Sequence, residues 1–135
     1  MKNKLLKIPV ALGLALALSA CGGPAEPEQT LEERVMARWQ HMIERDFEAA
    51  WEYYTPGFQQ TTPREDFADD MGRRPIRWQS SNLIRSECEK ESCSVWVEVE
   101  YQPVGAPGPL REMRPVRINE ERWLQIEGQW WFSPT

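Results

Sequence analysis

The sequence predicts an α+β domain: helices first, then about four antiparallel strands whose sheet the helices cover on one face. Two observations carry this. Apolar residues recur with a helical period up to about residue 72 and with a period of two beyond it. Capping signals punctuate the first stretch, whereas hairpin and Pro/Gly turn signals punctuate the second.

Thr30-Leu31-Glu32-Glu33 has the form of a capping box, in which Thr30 caps the first amides and Glu33 reaches back. Leu31, Val35, Trp39, Met42 and Ile43 follow as one apolar stripe. Asp46 is placed to cap a second helix bearing Phe47, Ala50, Trp51 and Tyr54, which Thr55-Pro56-Gly57 should stop. Thr62-Pro63-Arg64-Glu65 repeats the capping box, with proline at the first helical position. The third helix it opens should bury Phe67 and Met71 and end at Gly72.

In the strand from Cys93 to Tyr101, the residues Cys93, Val95, Val97, Val99 and Tyr101 share one face; Trp96 takes the other. Cys88 and Cys93 flank Glu89-Lys90-Glu91-Ser92, so a hairpin there sets them opposite each other, where a disulfide is geometrically possible. That register pairs Ile84 with Val97 and Arg85 with Trp96, and turns Ile76, Trp78, Ile84 and Cys88 inward. A loop from Pro103 to Pro109 leads to a strand expected to face Val116, Ile118, Leu124 and Ile126 inward. Glu127-Gly128 is a tight hairpin signal, and Gln129 to Phe132 returns as the last strand.

The chain begins differently. Lys2, Lys4 and Lys7 precede a charge-free apolar run from Ile8 to Ala20. The run is shorter than the roughly 20 residues a spanning helix needs and has the form of a secretory signal. It ends in Leu18-Ser19-Ala20-Cys21-Gly22-Gly23, which resembles a bacterial lipobox. The resemblance implies a signal peptide at 1–20 and cleavage before Cys21. Cys21 would then carry a diacylglyceryl thioether and an acylated amine, the palmitate-bearing anchor of a lipoprotein in the cell envelope. Gly22, rather than Asp, at the second mature position favours the outer membrane, facing the periplasm. Residues 21–30, with Pro24 and Pro27, are expected to form a flexible tether, and residues 31–135 the folded domain.

The folded part is similar to the nuclear transport factor 2-like superfamily. The likeness rests on Asp46-Phe47-Glu48-Ala49-Ala50-Trp51-Glu52-Tyr53-Tyr54, on Pro56-Gly57-Phe58, on the short helix from Pro63, and on the closing run from Trp123 to Trp131. It covers residues 31–135 and implies a cone-shaped fold enclosing a cavity, without implying a reaction.

Without residues 1–20 the chain holds 13 basic and 21 acidic residues, a balance of −8. Such acidity argues against nucleic acid and against anionic lipid, since neither gains a Coulomb term from it. No phosphate loop, triad, cofactor motif or metal cluster is visible. His41, the one histidine, lies away from the apolar stripe and is expected to be solvated. The Asp69-Asp70 pair is expected at an exposed helix end. Asp46 falls near the stripe: a helix cap is expected, with an isomerase- or hydratase-like enzyme using Asp46 as a buried base as the alternative. The favoured reading is a non-catalytic binding module. One candidate site is a pocket lined by Trp39, Tyr54 and Trp78, with Ser80 and Asn82 as polar points, suited to a small amphipathic ligand. The other is an outer sheet face bearing Trp96 and Trp123, suited to a homodimer or an envelope protein partner, unless Arg85 shields Trp96 by stacking.

Overall fold

The computed structural model describes residues 29–135. The expectations for the signal segment, for Cys21 and for most of the tether lie outside those residues. Four helices precede four strands: α1 (Leu31–Glu44), α2 (Phe47–Trp51), α3 (Pro56–Thr61), α4 (Arg64–Arg73), then β1 (Ile76–Glu89), β2 (Ser92–Pro103), β3 (Val116–Ile126) and β4 (Gln129–Ser133). The strands form one antiparallel meander in the order β1-β2-β3-β4, and the helices pack on one face of it.

Thr30 caps α1 with both halves of its capping box formed: Glu33 N–H donates to the Thr30 hydroxyl at 3.2 Å, and Thr30 N–H donates to the Glu33 carboxylate at 2.8 Å. Leu31, Val35, Trp39 and Met42 are buried against the sheet. Arg45 closes α1 in the left-handed region at φ 62°. Asp46 then caps α2, accepting from Ala49 N–H at 3.2 Å.

Thr55-Pro56-Gly57 does not simply end a helix. Thr55 caps α3 and Pro56 occupies its first turn, where its missing N–H costs nothing. The second capping box does not form either. Thr62 is consumed in closing α3, donating its N–H to Phe58 O, so α4 begins after Pro63 without a side-chain cap. Phe67 and Met71 are buried from α4 as expected. The Tyr53–Thr55 segment bonds to the edge strand β4 on both sides of Phe132, through Phe132 N–H to Tyr53 O and Thr55 N–H to Phe132 O. These bonds occupy donors and acceptors that an uncovered edge would leave open.

Cys88 pairs with Cys93 and the disulfide is formed. The strands run up to Glu89 and from Ser92, leaving a two-residue turn, Lys90-Glu91, rather than four residues, with Lys90 at φ 55°. The expected register holds from there to Arg85 opposite Trp96. A bulge then skips Ile84, so Leu83 rather than Ile84 faces Val97. Ile84 is thereby turned outward and exposed. A second shift between Trp78 and Ser80 restores Trp78 and Ile76 to the core side. Two bulges in one strand increase its local twist and bend, which curves the sheet around the helices.

The expected inward face of β3 is reversed. Val95 lies opposite Glu121 and Cys93 opposite Trp123, so Arg117, Asn119, Glu121, Trp123 and Gln125 share the helix-covered side. Val116 and Ile118 stand in solvent, and Trp123 is fully buried. The assignment by hydrophobicity fails because the concave side of β3 carries a buried polar network. At the far hairpin, Glu127 and Gly128 both take positive φ, 51° and 81°, as a tight two-residue turn requires.

Candidate functional site

A cavity of about 750 Å3, open to solvent, lies between the helices and the concave sheet face. Its size falls within the range typical of small-molecule sites. α1 contributes Trp39 and Met42, α4 contributes Phe67 and Met71, and the sheet contributes Trp78, Val99 and Tyr101. Tyr54, from the turn after α2, stacks with its ring centre 4.7 Å from Phe58, 4.8 Å from Phe67 and 4.9 Å from Phe132. Trp39 and Phe47 meet Trp78 edge-on at 6.3 and 6.1 Å, a favoured arrangement for aromatic quadrupoles. These contacts fix the walls.

The base of the cavity is polar and buried. Glu121, 5% exposed, accepts three hydrogen bonds. Arg38 Nη1 (3.0 Å) and Trp39 Nε1 (2.8 Å) donate to its Oε1, and Trp123 Nε1 donates to Oε2 at 2.9 Å. Arg38, 4% exposed, also donates from Nη2 to the Tyr54 hydroxyl at 3.0 Å. Its guanidinium carbon sits 3.9 Å from the Phe132 ring centre. Burial opposes the Arg38 charge, but Tyr54 and Glu121 outweigh it, so the guanidinium is held above its ordinary pKa. Arg38 Nε is buried with no hydrogen-bond partner among the described residues. Tyr54, accepting from Arg38, retains a hydroxyl proton to donate elsewhere. The rim carries Asp66, Arg117 and Glu120, together with Asp70 and Arg74 paired at 3.1 Å.

The structure brings Trp39, Tyr54 and Trp78 together on this cavity, as the sequence led one to expect. Ser80 and Asn82 do not join them. The register shift after Trp78 turns both to the exposed outer face. Trp123 is likewise no interface residue: it lies in the core behind Glu121. Trp96 does face outward, half-buried, with the Arg85 guanidinium 3.8 Å above its ring. The alternative role for Asp46 fails on placement, since its side chain is 57% exposed, caps α2 and does not line the cavity. His41 is partly buried against Tyr53 rather than freely solvated, with Nδ1 3.9 Å from the Asp46 carboxylate. Asp69 and Asp70 are exposed on α4.

Arg38 and Glu121 were the residues missed. Arg38 had left a signal, because Leu31, Val35, Arg38 and Met42 follow heptad spacing and place a charge inside the apolar stripe. A charge there requires a buried partner. Glu121 gave no comparable sign within an alternating strand.

Four helices packed on a curved four-stranded antiparallel sheet make an α+β fold, and one of the solved structures it resembles is described as NTF2-like. No family model and no curated protein matches the chain. Solved structures do. A SEC-C motif containing protein from Rhodopseudomonas palustris matches with a TM-score of 0.57 and 16% identity, over 78% of this chain and 76% of that one. A second SEC-C motif containing protein, from Psychrobacter arcticus, matches with a TM-score of 0.62 and 11% identity. This match covers 78% of the present chain and 59% of the longer Psychrobacter protein. A candidate NTF2-like transpeptidase from Campylobacter jejuni matches with a TM-score of 0.53 and 9% identity, over 79% of this chain and all of that one. At these identities the likeness concerns the fold alone.

Proposed function

We propose that this chain is a lipid-anchored protein of the bacterial envelope, acylated on Cys21, whose cone binds a small amphipathic ligand without transforming it. The observation that carries the binding reading is the open cavity of about 750 Å3 with aromatic walls and a buried polar base. Apolar walls favour a hydrocarbon or ring body. Arg38 Nε–H and the Tyr54 hydroxyl, donors without a protein acceptor among the described residues, suit a ligand oxygen, because a buried donor left unpaired is costly. Binding rather than acid–base chemistry is favoured because the Glu121 carboxylate is already engaged by three donors. One acceptor site stays open on Oε2, but a proton placed there would cancel the charge that Arg38 and both indoles are arranged to meet.

The test is a calorimetric titration of the full chain with dodecanoate, alongside a Met71→Trp variant that fills the cavity. One-site, saturable binding that weakens at least tenfold in the variant is the expected result. Binding without saturation, or binding untouched by Met71→Trp, overturns the reading. The anchor is tested separately by Cys21→Ser, which should abolish acylation, seen as the loss of the lipid mass from the amino-terminal peptide. An unacylated parent chain would refute it.

A further inference from the structure

The acidity of the chain is unevenly spread. Residues 73–77 and 102–117 together hold six arginines, Arg73, Arg74, Arg77, Arg111, Arg114 and Arg117, against a single carboxylate, Glu112. The rest of residues 21–135 holds seven basic and twenty acidic residues. The topology gathers these arginines at one end of the sheet, where β1 begins, β2 ends and β3 begins. Backbone bonds fasten the segments there: Val104 N–H donates to Pro75 O at 2.9 Å, and Tyr101 N–H to Pro115 O at 3.0 Å. Arg77, Val104 and Arg111 line one shallow groove. Of the six arginines only Arg74 has a carboxylate partner among the described residues. Three aliphatic side chains project among them half-exposed: Val104 (48%), Leu110 (49%) and Met113 (50%).

We propose that this end docks on an anionic bilayer surface, with Val104, Leu110 and Met113 entering the headgroup–acyl boundary and the arginines meeting lipid phosphates. Aliphatic tips interleaved with cations are the composition of an interfacial membrane contact. Arginine stems can lie along the apolar boundary while their forks bind phosphate. Nucleic acid fits less well, because the groove and its loop offer no aromatic platform for bases. The contact is made by loop residues and strand ends; no helix among the described residues is long and apolar enough to cross a membrane. Arg74 and Arg117 also border the cavity, but Arg77, Val104, Leu110, Arg111, Met113 and Arg114 do not, so the contact can be tested apart from the cavity and from Cys21. The chain's net charge had argued against anionic lipid; the arrangement of that charge argues for it.

The experiment is amide hydrogen exchange on the full chain, read over residues 103–115, with vesicles of phosphatidylcholine alone or mixed equally with phosphatidylglycerol. A local readout separates docking at this end from any contact made by the amino-terminal segment. Exchange there should slow only on the mixed vesicles. Each arginine near an anionic surface strengthens attraction about fivefold, so Arg77→Gln/Arg111→Gln/Arg114→Gln should weaken docking roughly a hundredfold and remove the protection. Leu110→Ser/Met113→Ser should weaken it as well. Unchanged exchange on mixed vesicles overturns the proposal, and so does equal protection on phosphatidylcholine. Protection by polyphosphate but not by vesicles assigns the surface to an anionic polymer instead. Unchanged exchange in β2 and β3 of the variants, measured without vesicles, verifies that they fold.

Discussion

Replacing Glu121 with leucine should be among the most destabilising single changes in the domain. The substitution removes the acceptor of three buried hydrogen bonds and leaves the Arg38 charge without a counter-charge. Breaking a buried ion pair from one side costs about 3–5 kcal/mol. Each indole N–H that finds no new partner adds about 1–3 kcal/mol. The total, at least about 4 kcal/mol, is a large share of the 5–15 kcal/mol that holds a small domain folded. With a urea dependence of about 2 kcal/mol per molar, the unfolding midpoint should fall by roughly 2 M. Adding Arg38→Met should recover part of the loss, because it removes the uncompensated charge. A cycle of the parent, both single variants and the double variant should therefore give a coupling of about 2 kcal/mol or more. A Glu121→Leu midpoint within about 0.5 M of the parent, or strictly additive single effects, would refute this account of the cavity base.

Asp46→Asn should change stability by less than about 1 kcal/mol, because asparagine caps a helix about as well as aspartate; a larger loss in thermal unfolding would contradict the cap. Trp123→Ala should cost about 3–5 kcal/mol as a core truncation, whereas Trp96→Ser should cost much less, which urea titrations of the two would compare directly. Removing the disulfide by Cys88→Ala/Cys93→Ala should cost about 1–3 kcal/mol, since the loop it closes is short. Arg38 carries a raised pKa, so its stabilising charge is complete below the ordinary arginine value and fades only as pH climbs through the still higher folded value. Stability measured from about pH 6 to pH 10 should therefore show no loss traceable to this residue.

The helices were legible wherever a local signal was decisive. Thr30 with Glu33, Asp46 before Phe47, and the stripe from Leu31 to Met42 each satisfy their own backbone or bury their own face. Thr62 shows where that logic stops, because two adjacent helices compete for one residue and the closure of α3 takes it. In the sheet, Cys93 to Val99 was readable because its cysteine and valines all fall on one side, with Trp96 the one large apolar residue among Ser94 and Glu98 on the other. The register of β1 was not, since a bulge depends on how the curved sheet meets the helices rather than on any residue at Ile84. β3 misled for the opposite reason. Its apolar residues Val116 and Ile118 face solvent, while Glu121 is buried by partners drawn from α1 and from Trp123 two residues on. The aromatic walls of the site were visible one residue at a time; the ion pair beneath them exists only once α1 lies across β3.

The most direct measurement is a crystal structure of the chain grown with a dodecyl amphiphile brominated at its tail. Bromine is located by anomalous scattering, without reference to the shape of the density. The account predicts a bromine peak inside the cone, among Trp39, Trp78 and Tyr101, with the ligand's oxygen within hydrogen-bond reach of Arg38 Nε or the Tyr54 hydroxyl. An empty cone, with bromine found only on the outer sheet face or at the arginine-rich end, would contradict it.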